Sequence, residues 1–269
     1  VGGVMSVLGY SIAGLVVGTA VGATGVGGGS LMTPILILFY GVSPTLAVGT
    51  DLIYASISKS WGTWLHNRNQ SVDWRIVGWQ ALGSIPAALL TLMMLSRIHD
   101  IHKIDSLIKL VLSSAIVTTA LFTLFQDRVM VFVRNGHGGT AASAAQEPRF
   151  QRLLTVLAGI LIGSLVTISS VGAGAIGMML LLLLYPKHEP VSIVGSDLAH
   201  AVLITAIAGF GHARLGGVDY ALLGTLLLGA IPGIWLGSRI GFRLRPRVLK
   251  RVISVLLLLV GGMTLCRVL

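Results

Sequence analysis

Charge is what this chain most lacks. Asp, Glu, Lys and Arg make up 10% of it, against roughly 25% in an ordinary soluble domain. So few charges cannot cover a water-facing surface, and 54% of the residues are hydrophobic, with a mean hydropathy of +0.90. A soluble enzyme is excluded, and nearly all of the chain is committed to a lipid bilayer. The strict in–out alternation of a membrane β-barrel is absent too. The apolar runs are long and rich in Leu, Val and Ile, which points to helical spans. A single cysteine, Cys266, excludes an internal disulfide and a thiolate metal cluster. No Gly-x-x-x-x-Gly-Lys-Ser/Thr segment is present, so no nucleotide site is expected. No metal or other cofactor is expected either. Acidic residues are scarcer still, giving a net charge of +10. The basic residues lie in short loops between apolar runs, as retention of positive charge on the cytoplasmic side requires, rather than in a nucleic-acid-binding face. No cleavable signal peptide is read at Val1.

Glycine, by contrast, is plentiful, and it is clustered. Gly14 to Tyr40 reads GLVVGTAVGATGVGGGSLMTPILILFY. Small residues at helical spacing run into Gly25, Gly27, Gly28 and Gly29, and an apolar run resumes at Ser30. Each glycine inside a helix costs about 1 kcal/mol relative to alanine, so the stretch reads as a helix, a break and a second helix. The pattern recurs at Gly159 to Tyr185, GILIGSLVTISSVGAGAIGMMLLLLLY. Beyond it, Val48-Gly49-Thr50-Asp51-Leu52 matches Val194-Gly195-Ser196-Asp197-Leu198. His66, Arg68, Val72 and Asp73 match His212, Arg214, Val218 and Asp219, and Pro86 matches Pro232. The chain is two copies of one unit, expected at 1–125 and 151–269 and joined by a polar linker at 126–150.

Each copy is read as a glycine-broken helix followed by about three full spans. In the first copy these are Thr45–Leu65, Ile76–Ser96 and Ser106–Phe125; in the second they lie near Val191–Gly211, Ala221–Ile240 and Val248–Val268. Both pieces of the first broken helix fall short of the roughly 20 residues an upright crossing needs. If the copies are inverted, the loops at 65–75, 126–152, 185–190 and 239–251 share one face, which then holds clearly more than half of the Lys and Arg residues. That satisfies the positive-inside rule better than a parallel arrangement. It also requires each broken helix to return to the side it entered from. Inverted repeats with broken helices characterise secondary transporters. The fold class expected is an all-α, multi-pass membrane protein.

A helix break frees backbone N–H groups, and the N-terminus that follows carries partial positive charge. The two breaks suggest an anion cradle built from Thr24, Gly25, Gly27, Gly28, Gly29 and Ser30 in one copy and Ser169, Ser170, Gly172 and Gly174 in the other. The competing explanation is close packing by small residues. Lys59 lies mid-helix, where it can attract an anion or extend toward an interface. Asp51 and Asp197 are read as lying in the first turns of their helices. There they serve either as proton carriers or as partners of the helix dipole. His200, one turn after Asp197, is a further proton-coupling candidate. His66, Arg68, His212 and Arg214 are read as helix-end and loop-shaping residues. Pro86 and Pro232 are expected to kink their spans at matched places.

The doubled glycine segment, the Gly-Thr-Asp-Leu and Gly-Ser-Asp-Leu tetrapeptides and the His-x-Arg-x-x-x-Val-Asp loops resemble the TauE/SafE family of sulfite exporters, within the TSUP superfamily of anion transporters. The resemblance covers both copies. It implies secondary transport of a small sulfur-containing anion such as sulfite, sulfoacetate or a related organosulfonate, outward across the bacterial inner membrane, with protons as a coupling ion to test. Ala173 replaces a glycine in the second segment, so the resemblance does not carry a strictly symmetric site. The alternatives are a passive anion channel and an intramembrane hydrolase using Ser169 or Ser170 with His200. The hydrolase lacks a Gly-x-Ser-x-Gly nucleophile turn, so no enzymatic activity is expected. The implied partners are a small anion, protons and the bilayer.

Overall fold

The computed structural model describes residues 2–24, 29–98, 100–136 and 148–241, together with isolated positions 255, 259, 262 and 263. Among the described residues the regular structure is entirely helical: α1 (Gly2–Thr24), α2 (Gly29–Tyr40), α3 (Pro44–Arg68), α4 (Trp74–Arg97), α5 (Ile101–Gly136), α6 (Pro148–Ser169), α7 (Ala175–Leu184), α8 (Pro190–Arg214) and α9 (Tyr220–Gly241). Five helical segments are long and apolar enough to cross a bilayer, in α4, α5, α6, α8 and α9. The helix α3 has the length but not the uniform apolarity, because Asp51 and Lys59 lie within it. The apolar parts of the first broken helix, Val7–Gly22 and Leu31–Tyr40, are short, as the sequence predicts, whereas α6 is long enough by itself to span. The segment read as a linker is helical as far as Gly136, where α5 ends. The last expected span, at 248–268, falls largely outside the described residues.

The broken helices fold back as hairpins. The Tyr40 hydroxyl, at the end of α2, donates to the Gly9 carbonyl near the start of α1 at 2.7 Å. In the second copy, Gln151 near the start of α6 donates to the Leu184 carbonyl at 2.7 Å, and Thr155 lies 2.8 Å from the Tyr185 hydroxyl. At 1.5 Å of rise per residue, Ser169 lies about 21 Å along α6 from Thr155. The turn between α6 and α7 is thus deep in the molecule.

Helices from different copies pack in the most intimate pairs. A Cβ placed on Gly14, Gly18 or Gly22 of α1 would fall 2.1, 2.6 or 2.2 Å from the carbonyl oxygens of Leu226, Ala230 and Ile234 of α9. The numbers rise together, so α1 and α9 are parallel and their backbones touch. The same contact joins α6 to α4, where Gly159 and Gly163 would meet the carbonyl oxygens of Gln80 and Ser84 at 2.2 and 2.4 Å. Small residues permit such approach where lipid gives no hydrophobic drive for helices to associate. The helices α3 and α8 cross antiparallel instead: Ser56 reaches the Val202 carbonyl, Gly209 abuts Ile53, and Gly62 abuts Leu198.

Polar contacts at the helix ends also recur in both copies. Asp73 accepts from the amides of Arg75 and Ile76, and Asp219 from those of Ala221 and Leu222, so each caps the start of a span. The backbone N–H of Asp73 donates to Ser196 at 2.9 Å, and that of Asp219 to Thr50 at 3.0 Å. The caps thereby fix α4 against α8 and α9 against α3. Pro86 and Pro232 lie inside α4 and α9, and Pro34 lies inside α2.

Candidate functional site

The site is built around the second break. Ser170 adopts a positive φ of 59°, and Gly172 and Gly174 stand at 116° and 140°. The glycine values are strained for any residue with a side chain, which is why positions 172 and 174 of the Ser-Val-Gly-Ala-Gly segment between α6 and α7 are glycine. No side chain caps the first amides of α7. Ser169 is not turned toward a ligand: its hydroxyl donates to the Leu165 carbonyl at 2.7 Å and lies 3.3 Å from the Val171 amide. In this arrangement the Ser169 hydroxyl clamps the break locally. The Ser170 hydroxyl is buried with no partner within 3.5 Å, but it lies near enough to Asp51 to act on that carboxylate as a hydrogen-bonding side chain.

Lys59 reaches this break from the other copy. It is 3% exposed, and its ammonium donates to the Ala173 carbonyl at 2.7 Å. The side chain does not extend to an interface. Asp51 and Asp197, at matched positions in α3 and α8, both act electrostatically on Lys59. Neither comes within the 4.0 Å of an ion pair. One carbonyl, one ammonium and two carboxylates from both copies thus meet in a region closed to solvent.

The aspartates lie in the early turns of their helices, as the sequence has it, but not in the first. The helices start at Pro44 and Pro190, so Asp51 and Asp197 are well past the first turn, which contains no acidic residue in either helix. The dipole effect fades within the first turn, so it does not explain them. Their settings also differ. Asp51 accepts from the Thr33 hydroxyl at 2.5 Å and the Thr33 amide at 3.3 Å, both near the start of α2. Asp197 packs against Gly177, where an added Cβ would sit 2.2 Å from its Oδ1. The Oδ1 atoms of both carboxylates are buried and receive no hydrogen bond.

His200 is 1% exposed, with Nε2 lying 2.8 Å from the Ser84 hydroxyl of α4 and Nδ1 unpartnered. Gln80, one turn before Ser84, has both side-chain polar atoms buried and unpartnered, and so does the hydroxyl of Tyr54, which matches His200 in the first copy. Sequence reading missed Thr33, Gln80 and Ser84. The signal for Gln80 was an amide in an otherwise apolar span; Thr33 and Ser84 offered none, since lone hydroxyls are common in such helices.

The first break is described only at its edges. Gly25, Gly27 and Gly28 lie outside the described residues, as do the side chains of Thr24 and Ser30, and Gly29 begins α2. His66 shapes its loop, as the sequence predicts, by meeting the Ser71 hydroxyl at 2.8 Å. His212 closes the matched turn, its carbonyl accepting from the Gly217 amide at 2.8 Å as that of His66 accepts from Ser71, and its Nε2 also lies 2.9 Å from the Thr167 carbonyl of α6, just before the second break. Arg68 and Arg214 lie over the rings of Trp64 and Phe210. Among the described residues no cluster of His, Cys, Asp and Glu is arranged to hold a metal.

Comparison with known proteins agrees with this architecture. Residues 10–264 match the family described as sulfite exporter TauE/SafE. The chain is 36% identical to the probable membrane transporter protein YjnA of Bacillus subtilis (strain 168), over 92% of this chain and 95% of that protein. It is 26% identical to the probable membrane transporter protein YdhB of the same organism, again over 92% and 95% of the two chains. No solved structure matches. Since the family's pattern runs through both copies and across the breaks, the chain belongs to the sulfite exporter TauE/SafE family and is a multi-pass membrane transporter, not an enzyme.

Proposed function

We propose that this transporter carries a small sulfur-containing oxyanion, such as sulfite, sulfoacetate or a related organosulfonate, outward across the bacterial inner membrane. The observation that carries the reading is Lys59: a buried ammonium from one copy set against the backbone break of the other. An oxyanion arriving there meets a fixed cation, the unpartnered Ser170 hydroxyl and the uncapped N-terminus of α7. The family's description, which names sulfite export, points to the same chemistry. Asp51, Asp197 and His200 are the residues proposed to exchange protons during the cycle.

We also propose that the two copies are inverted. Support comes from the antiparallel crossing of the matched helices α3 and α8. A second support is the meeting of Asp73 and His188, 3.7 Å apart, which brings the loops 69–73 and 185–189 to one end of the molecule. Inverted copies place matched breaks near their shared interface.

Transport in proteoliposomes across sulfite, sulfoacetate, sulfate, thiosulfate and simple carboxylates tests the substrate. Sulfite or a sulfonate should be concentrated against its gradient when a pH difference is imposed, which a passive channel cannot do. Ser170→Ala should weaken binding by about 1 to 3 kcal/mol, the range for a hydrogen bond to a charged group. Unchanged affinity in a folded double variant of Lys59 and Ser170 refutes the site.

A further inference from the structure

The charge at the centre does not balance, and the imbalance fixes how an anion can enter. Lys59 supplies one positive charge, and Asp51 and Asp197 supply one negative charge each when ionised, leaving a formal excess of one negative charge. Polar groups around this trio come from several helices and from the second break. Helix α3 adds the Tyr54 hydroxyl and α8 adds His200. Helix α2 offers Thr33, α4 offers Ser84, and the α6–α7 break offers Ser170. His200 is the other titratable group that gains charge by taking a proton, and its Nε2 is engaged with Ser84. Among the described residues, Lys59 is the cation that acts on the two carboxylates.

A monovalent oxyanion brought to the ionised centre would double its negative charge in a volume closed to water, where unpaired charge is least tolerated. With one carboxyl protonated the loaded centre keeps its resting charge, and with both protonated it is neutral. Each carboxylate has a buried Oδ1 without a donor, free to form the new O–H bond. We propose that the oxyanion binds only together with protonation of Asp51, Asp197 or both, so that anion and proton cross in the same direction. The inference rests on the anion-carrier reading above. The proton comes from the aqueous side on which the anion enters and returns to water on the side where it leaves. An outward cycle then runs only while the anion gradient outweighs the inward proton gradient.

The test uses the purified full chain in proteoliposomes with the potential clamped by potassium and valinomycin. Isethionate is the probe, since it is monovalent and does not titrate near neutral pH, whereas sulfite would move protons by its own chemistry. An isethionate gradient should acidify the compartment that the anion enters, with at least one proton per anion. Asp51→Asn and Asp197→Asn should each lower the ratio of protons to anions, and the double variant should bring it to zero. The wild-type measurement stands even if a variant fails to fold. Net isethionate flux down its gradient with no pH change, or with a pH change of opposite sign, overturns coupled co-transport and leaves the carrier reading intact. Absence of exchange of isethionate and of sulfite in folded protein overturns the carrier reading itself.

Discussion

Replacing Lys59 with methionine tests the centre most directly. Methionine keeps much of the unbranched chain and removes the charge. The ammonium's bond to the Ala173 carbonyl is lost, and Asp51 and Asp197 lose the cation that stands between them. Removing one member of a buried charged group costs about 3 to 5 kcal/mol, because the remaining charges stay buried without compensation. The Ala173 carbonyl, left without a donor, accounts for only about 1 kcal/mol of that. The rest should return when the carboxylates are neutralised as well. The triple variant Lys59→Met, Asp51→Asn, Asp197→Asn should therefore regain about 2 to 4 kcal/mol relative to the single variant, while transport is lost in both. Unfolding of each protein in the same detergent gives the comparison. Equal stabilities in the single and triple variants, or no loss in the single one, would refute the reasoning, since the carboxylates would then not depend on Lys59.

The remaining predictions concern architecture. Thr50→Val and Ser196→Ala each remove the acceptor of a backbone N–H, that of Asp219 and Asp73 respectively, and each should cost about 1 to 3 kcal/mol in unfolding. A loss at one site alone would show that the matched contacts are not equivalent. Cysteines introduced at Ser143 and Arg245 should both be labelled from the cytoplasmic side, because the inverted arrangement puts most Lys and Arg residues there; labelling from opposite sides would sink the inversion.

Much of this architecture was legible in the sequence, because duplication makes weak local signals reinforce one another. The break before α7 was read from Gly172 and Gly174, whose dihedrals only glycine adopts without strain. Lys59 and the aspartates were legible as charges in apolar surroundings. Their environment was not, since it is set by contacts between copies. Helix starts read at Thr45 and Val191 put Asp51 and Asp197 in the early turns; the observed starts, Pro44 and Pro190, lie one residue earlier, and both carboxylates stand beyond the first turn, where the dipole no longer accounts for them. Ser169 and Ser170 are neighbours of one type with opposite fates, one bonded to backbone and one unpartnered, and only the positive φ at Ser170 separates them. Ser84 became visible only when α4 was seen to face His200.

The close backbone contacts of α1 with α9 and of α4 with α6 restrict how such a molecule can move. Each pair joins one copy to the other, so rocking one whole copy against its mate would tear Gly14 from Leu226 and Gly159 from Gln80 in a single step. The units that must move as wholes are the mixed pairs, α1 with α9 and α4 with α6. The same interlocking bears on assembly. Severed between Gly136 and Pro148, each half would lose its tightest helix partners; α1 would lack α9, and α6 would lack α4. The halves would have to be made together to form either pair, and a gene carrying one of them would encode only half of each.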